Sequence, residues 1–324
     1  MPKLLQNRIA ESRRSLPVTA VCAVAVLLLM PRSVPTHALM LAIGTFLMLI
    51  MNNSNALIRI YSRMVSCSYI VLNVMLTTVF AGYQPAEPLT CIPGIIHCDI
   101  VQLCLIAAYL IIFNAYQDKQ SQGHAFYAFL LIGVASLFFV QILLFVPLLW
   151  LLMARNMMAF SPKICVASLL GTALPYWFAA AYCAVAGNTT PLTDHFTDMV
   201  RLCTAAELLA AAGETPINTL VSLAFILLLT VTGMVHFVRN SYKDKIRTRM
   251  IYEMLMSVGV FAIILLLWQP QHTLMLTTVL SVGASVLTGH FIALTNTRVT
   301  NITFIIITVT ALALTAFNIY GSTH

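Results

Sequence analysis

The sequence predicts an all-α membrane protein, a polytopic transmembrane bundle of about 11 hydrophobic segments. Of its 324 residues, 60% are hydrophobic and only 8% are charged, whereas a soluble domain carries about 25% charged residues. Apolar runs long enough to cross a bilayer recur along the chain. The runs are continuous, which excludes an outer-membrane barrel, whose strands alternate apolar and polar residues. We expect residues 1–324 to form a single integral-membrane domain.

The first hydrophobic segment follows a basic N-terminus. Residues 1–15 are predicted to be cytoplasmic, with positive charge from Lys3, Arg8, Arg13 and Arg14. No small-x-small cleavage site follows the run 17–30, so we interpret this run as a retained helix and not as a signal peptide. Further spans are predicted at residues 36–51, 64–81, 95–116, 124–154, 162–186, 216–238, 251–268, 273–295 and 299–320.

Local chemistry marks two of the helix starts. Pro162 follows Ser161 and Pro216 follows Thr215, which is the pattern of an N-cap residue with proline at the first helical position. Residues 239–250 are rich in lysine and arginine and are predicted to be a basic cytoplasmic loop.

The run 124–154 is too long for one crossing. Its 31 residues would form a helix of about 46 Å, against a hydrocarbon core of about 30 Å. If the run crosses twice, 15 of the 17 lysines and arginines fall on the cytoplasmic side, and if it crosses once the split is 8 to 9. The positive-inside rule therefore predicts a hairpin of two short helices that turns near Phe138–Gln141, with the Gln141 side chain serving the turn. The N-terminus is then cytoplasmic and the C-terminus extracytoplasmic.

Two sizeable loops are predicted on the outer face, at residues 82–94 and 187–215. Within the second, residues 193–212 alternate apolar and charged positions in a pattern typical of an interfacial amphipathic helix. The alternative is a solvated connector.

Asp99 is the first candidate site residue. It is one of few carboxylates close to the hydrocarbon, where an ionisable group indicates function by default. We predict a catalytic role for Asp99, with His97 as its proton-relay partner. The alternative is that Asp99 caps the start of its helix. Cys91 and Cys98 flank the same stretch, as a disulfide or as two free thiols.

A second candidate lies between the second and third spans. Arg59 and Arg63 are four residues apart and would share a helix face. With the amides of Asn52, Asn53 and Asn55, they could bind a lipid phosphate or a polyprenyl diphosphate. The alternative is an ordinary positive-inside loop.

Asp194 and Asp198 form the third candidate, an outer acidic pair at a spacing of four residues. Paired carboxylates can coordinate a divalent cation or act as a general base, and the alternative is solvated loop charge. No metal site and no cofactor is predicted, because the sequence carries no P-loop, no dinucleotide-binding turn and no HExxH. The formal charge of +7 is attributed to topology and not to nucleic acid.

Two stretches carry a resemblance to known proteins. The chain resembles an uncharacterised family of Bacteroidota-type polytopic inner-membrane proteins, at positions Gly133, Ala135, Ser136, Leu137, Phe138, Pro147, Leu174, Pro175 and Tyr176. More distantly, the layout is similar to polyprenyl-dependent integral-membrane glycosyltransferases. In those proteins the usual catalytic carboxylate lies in the first outer loop, and here that loop, 31–35, has no acidic residue.

The predicted function is that of a multi-spanning inner-membrane protein, an envelope-associated membrane component. One alternative is a glycosyltransferase-like or polymerase-like enzyme acting on a polyprenyl-linked glycan. A second is a solute or lipid transporter. The expected partners are the lipid bilayer, a polyprenyl-linked substrate and other envelope proteins.

Overall fold

The structure is a computed structural model and describes residues 4–30, 34–82, 94–200 and 215–323. Every regular element within these ranges is a helix, so the predicted all-α fold class is confirmed. The α-helices are α1 (Leu5–Ala10), α2 (Ser15–Leu28), α3 (Val34–Asn55), α4 (Met64–Gly82), α5 (Ile95–Asn114), α6 (Gln122–Phe138), α7 (Phe145–Arg155), α8 (Pro162–Ala186), α9 (Thr190–Val200), α10 (Ile217–Asn240), α11 (Ile246–Trp268), α12 (Thr273–Leu294) and α13 (Arg298–Thr323). Short 3-10 turns occupy Val140–Leu144, Ser241–Lys243 and Pro270–His272.

Seven helices in the described ranges are long and apolar enough to cross a membrane, namely α3, α5, α8, α10, α11, α12 and α13. Four shorter apolar helices accompany them: α2, α4, α6 and α7. The chain is therefore a membrane-embedded helical bundle, and the count of eleven crossing segments stays a prediction.

Helix α12 lies at the centre of the bundle and packs against α4, α5, α10 and α11. Close backbone contact makes this arrangement possible. A Cβ atom at Gly289 of α12 would lie 2.7 Å from the backbone of Val65 in α4, and one at Gly233 of α10 would lie 2.7 Å from Cβ of Leu287. Small residues let membrane helices approach in this way.

The predicted hairpin at 124–154 is confirmed. Helix α6 ends at Phe138, Phe139 adopts an extended conformation (φ −148°, ψ 95°), and a 3-10 turn leads into α7. The amide of Gln117, before α6, donates to the carbonyl of Met157, after α7, at 2.8 Å. This bond joins the segment before α6 to the segment after α7. Helix α7 therefore returns to the side from which α6 started.

Gln141 was expected to satisfy the backbone of the turn, but its described contact joins the turn to another segment. Its Nε2 atom lies 2.7 Å from Nε2 of His272, in the 3-10 turn that precedes α12. The ring of His272 also contacts Phe139 edge to face, with centroids 5.4 Å apart. The hairpin turn is thereby fixed to the start of the central helix.

The basic loops gather at one end of the bundle, which we call the basic end. Arg247 donates to Asn55 Oδ1 at 2.9 Å and to the carbonyl of Phe113 at 3.0 Å. Asn156 donates to Glu253 at 3.0 Å. These bonds connect the ends of α3, α5 and α7 to the first turns of α11. The opposite end, which holds the hairpin turn, is called the far end.

The positive-inside argument predicts that the basic end is cytoplasmic. A reporter fused after Asn240 is expected to be active only in the cytoplasm, and one fused after His324 only outside it. Paired phosphatase and fluorescent-protein fusions measure both positions. A cytoplasmic reporter at His324 would contradict the eleven-segment topology.

Parts of the two predicted outer loops lie outside the described residues. Residues 83–93, with Cys91, belong to this part, as do residues 201–214 of the expected amphipathic helix. The described start of that stretch is helical, as α9.

Candidate functional site

Asp99 is a buried side chain of the bundle interior. It is the fifth residue of α5 and is only 7% exposed. The N-cap of α5 is Gly94, no side chain caps the helix, and its first turn has no acidic residue. The cap explanation of Asp99 is therefore wrong, because the helix begins too early for Asp99 to reach its free amides.

The partner of Asp99 is His37 of α3. Nδ1 of His37 lies 2.7 Å from Oδ2 of Asp99, and Nε2 lies 2.6 Å from Oγ1 of Thr77 in α4. All three residues are buried. The Thr77 hydroxyl also lies 2.7 Å from the carbonyl of Asn73. Three helices thus converge on one hydrogen-bonded chain at the far end.

The distance between His37 Nε2 and the Thr77 hydroxyl allows a proton to lie on either of the two atoms. If the Thr77 hydroxyl donates to Asn73, it accepts from His37, which is then an imidazolium facing the carboxylate. If the hydroxyl donates to His37 Nε2, the imidazole is neutral and still donates from Nδ1 to Asp99. Both arrangements keep the hydrogen bonds of His37 to Asp99 and to Thr77.

His97, the predicted partner of Asp99, is not brought to it. Both residues belong to α5, and a separation of two residues turns them about 200° apart around the helix axis. Asp99 faces the interior, whereas His97 is exposed and its ring contacts Phe138, with centroids 5.2 Å apart. Cys98, between them, is a buried free thiol 3.2 Å from the sulfur of Met275.

A second buried polar layer lies one turn along α5. The hydroxyl of Tyr69 donates to Gln102 Oε1 at 2.9 Å, and Gln102 Nε2 donates to Ser281 Oγ at 2.9 Å. This layer joins α4, α5 and the central helix α12. Gly44 of α3 makes room for it, because a Cβ atom there would lie 2.9 Å from the Tyr69 ring.

A second His–Asp pair is buried at the basic end. Nε2 of His290 lies 3.2 Å from Oδ2 of Asp244, and the two side chains are 1% and 3% exposed. Arg59 approaches the other carboxylate oxygen at 3.9 Å. The rings of Phe237 and Tyr252 contact the imidazole, with centroids 5.3 and 4.9 Å away. A buried carboxylate beside an imidazole is thus present at both ends of α12.

Buried hydroxyl and amide side chains recur along α4 and α12, two helices that pack on each other between the two pairs. On each helix they recur every three or four residues and so share one face. We call this set the polar seam: Ser66, Tyr69, Asn73 and Thr77 of α4, and Thr277, Ser281, Ser285 and Thr288 of α12, all buried.

Toward the basic end, some polar atoms in and beside the polar seam lack a hydrogen-bond partner among the described residues. Oγ of Ser66, Oγ1 of Thr288 and Nδ1 of His290 are buried and have no hydrogen-bond partner among the described residues. A buried polar group without a partner costs about 1–3 kcal/mol. Such groups require a reason for being retained.

The asparagines in the last turn of α3 stabilise the segment that follows it. Asn52 donates to the carbonyl of Ser62 at 2.9 Å, and Asn55 both donates to Met51 and accepts from Arg247. Asn53 is exposed. The interpretation of this stretch as a phosphate site stays a prediction.

The argument that Arg59 and Arg63 share a helix face is wrong. Helix α3 ends at Asn55, Ala56 has a left-handed φ of 47°, and α4 begins at Met64. Arg59 approaches Asp244, while Arg63 donates to the Tyr61 hydroxyl at 3.1 Å. The two guanidinium groups therefore serve different contacts.

The outer acidic pair lies on α9. Asp194 is exposed, and the side chain of Asp198 lies outside the described part of the chain. Between them, Nε2 of His195 lies 2.9 Å from the carbonyl of Ser136, whose hydroxyl accepts from Tyr176 at 2.9 Å. Ser136 and Tyr176 belong to the two stretches that carry the family resemblance, and the fold brings these stretches together.

No family model, no curated protein and no solved structure matches this chain. The site therefore has to be interpreted from its own chemistry. Three ionisable members of the two pairs, His37, Asp244 and His290, were not singled out by the sequence. Their signals were a histidine near each end of an apolar run and a lone acid within a basic loop.

Proposed function

We propose that this chain is a multi-spanning inner-membrane protein of the cell envelope that moves protons through the polar seam, in the manner of a proton-coupled transporter. The observation that carries the proposal is the presence of two buried His–Asp pairs, His37–Asp99 and His290–Asp244, at opposite ends of one polar seam. Ionisable residues inside membranes are costly, and chains of aspartate and histidine form the proton relays of pumps and transporters.

The far-end pair supports proton exchange because its members differ in role. Asp99 holds Nδ1 of His37, so Nε2 is the atom that gains and loses a proton toward Thr77. The Thr77 hydroxyl can donate to Nε2 or accept from it, since a hydroxyl both donates and accepts. Tyr69, Gln102 and Ser281 form the next hydrogen-bonded layer, which reaches the central helix.

The basic-end pair supplies the other terminus. His290 is held through Nε2 by Asp244, and its Nδ1 atom, which has no partner among the described residues, is directed away from that carboxylate. The unpartnered hydroxyls of Ser66 and Thr288 lie on the same seam. Buried polar atoms without a fixed partner are expected along a proton path, because transient hydrogen bonds complete such a path while the proton moves.

Proton flux into proteoliposomes tests the proposal. The protein is reconstituted with an internal pH-sensitive dye, and a valinomycin-mediated potassium potential drives proton entry. We expect wild-type flux above that of protein-free vesicles. The Asp99→Asn and His290→Gln variants should each fall to the protein-free rate, because each removes one end of the path.

Asp118→Asn is the matched control, because Asp118 is an exposed loop carboxylate outside the polar seam. It should retain wild-type flux. Equal flux in wild-type and protein-free vesicles would contradict the proposal. Unchanged flux in Asp99→Asn, at equal protein incorporation, would also contradict it.

Glycan transfer is the second candidate function. The position of Asp99 near the far end favours it, since the positive-inside argument places this end toward the outer leaflet. His37 would then tune Asp99 as an acid–base group. A lost envelope glycan in Asp99→Asn cells with normal membrane abundance would support this function. A normal glycan would exclude Asp99 as its catalyst.

A further inference from the structure

A cavity of about 480 Å³ lies in the basic half of the bundle, apart from both His–Asp pairs. Helices α2 and α13 both pack on α4, and the cavity lies between them. Its walls are almost entirely apolar and include Leu72, Phe225, Leu229, Ile307 and Ala311. Its volume falls in the range of roughly 300–1,000 Å³ that is typical of small-molecule sites.

The cavity is open on the side that faces the bilayer. Val18 of α2 (58% exposed) and Val71 of α4 (38% exposed) line it, together with the exposed Thr308 of α13. Since these residues belong to the outer surface of an apolar bundle, a molecule can enter sideways from the hydrocarbon. An occupant therefore needs a flexible apolar portion.

Two arginines line the cavity where it reaches the basic end. Arg8 lies on α1 and Arg14 directly precedes α2, and both are exposed. Neither forms an ion pair with a carboxylate of the described residues. Two unpaired guanidinium groups beside an apolar cavity are complementary to an anion with an apolar tail.

Arg8 is held at this position by α1. The buried Gln6 side chain donates to the carbonyl of Ile292 at 2.6 Å, and its backbone amide donates to Asn301 Oδ1 at 2.9 Å. Helix α1 is thus fixed to the ends of α12 and α13. Arg8 is placed over the cavity by specific contacts and not by a flexible tail.

We propose that this cavity binds an anionic phospholipid, with an acyl chain between α2 and α13 and the headgroup phosphate at Arg8 and Arg14. Guanidinium groups bind phosphate through charge-assisted hydrogen bonds. The site is distinct from the Arg59 and Arg63 stretch considered above, because neither of those residues lines the cavity. One residue of the polar seam, Thr288, lines the cavity, whereas no member of either His–Asp pair does.

Native mass spectrometry of the full chain in detergent tests the proposal with phosphatidylglycerol and phosphatidylcholine as probes. We expect one phosphatidylglycerol retained per chain and much less phosphatidylcholine. Arg8→Gln and Arg14→Gln should each weaken retention about fivefold, the effect of one basic charge near a lipid phosphate. Val71→Trp should weaken it too, by filling the mouth of the cavity while both arginines remain.

Arg13→Gln is the matched control, because Arg13 is an exposed neighbour that does not line the cavity. It should retain lipid as the wild type does. An equal loss in Arg13→Gln would show diffuse charge attraction and overturn the proposal. Wild-type retention in Val71→Trp would overturn it as well, since the cavity would then be unnecessary. Thermal unfolding of each variant confirms that lost retention is not lost folding.

Discussion

Replacing Asp99 with alanine is expected to destabilise the folded bundle by about 3 kcal/mol, the lower end of the cost of breaking a buried ion pair. The variant leaves His37, 4% exposed, without its acceptor at 2.7 Å. The cost stays at the lower end because a histidine can remain neutral when its counter-ion is gone. Reversible unfolding in mixed detergent–SDS micelles measures the difference.

The double variant His37→Ala with Asp99→Ala provides the control. If the two side chains stabilise each other, the double variant should be more stable than the sum of the single costs predicts. An additive result would mean that Asp99 acts through some other contact. It would contradict the pairing on which the proposed proton path depends.

Gly289→Ala is the second large effect that we expect. The added methyl group would lie 2.7 Å from both N and Cα of Val65, so α4 and α12 would have to move apart. Overpacking of this kind costs about 1–3 kcal/mol. The displacement would also widen the polar seam, since the same two helices form it.

Gly283→Ala, on the same helix, is the matched control. Its added methyl group would meet only the carbonyl oxygen of Leu255 at 3.6 Å, an ordinary contact. Alanine favours a helix over glycine by about 1 kcal/mol. Gly283→Ala should therefore equal or exceed wild-type stability while Gly289→Ala falls below it. Equal losses at both positions would contradict the close contact of α4 with α12.

The sequence predicted those parts of the fold that depend on one-dimensional patterns. Apolar run length indicated the helices, and the distribution of lysine and arginine predicted the hairpin that the break at Phe139 confirms. Helical spacing failed for Arg59 and Arg63. The spacing of four residues says nothing about whether the backbone between them is helical, and here a left-handed Ala56 ends α3.

Only one member of the far-end His–Asp pair was predictable from the sequence. Asp99 stood out because a carboxylate in an apolar run is conspicuous. Its partner His37 lies 62 residues away, and only the packing of α3 against α5 brings the two together. His97 was the nearer histidine along the chain, but the helix turns it outward. Helix-to-helix contacts of this kind are set by side-chain packing, which hydropathy does not encode.

The central position of α12 has a consequence for how the protein is made. This helix is the most enclosed of the seven long spans, with 89% of its most apolar window buried, and its mean hydropathy is lower than those of α5, α10, α11 and α13. Hydroxyl groups that suit the polar seam weaken the partition of a nascent segment from the translocon into lipid. Helix α12 is therefore expected to enter the membrane by docking on earlier helices, above all α4. A substitution that disrupts α4 should therefore act during biosynthesis, by leaving α12 outside the bilayer.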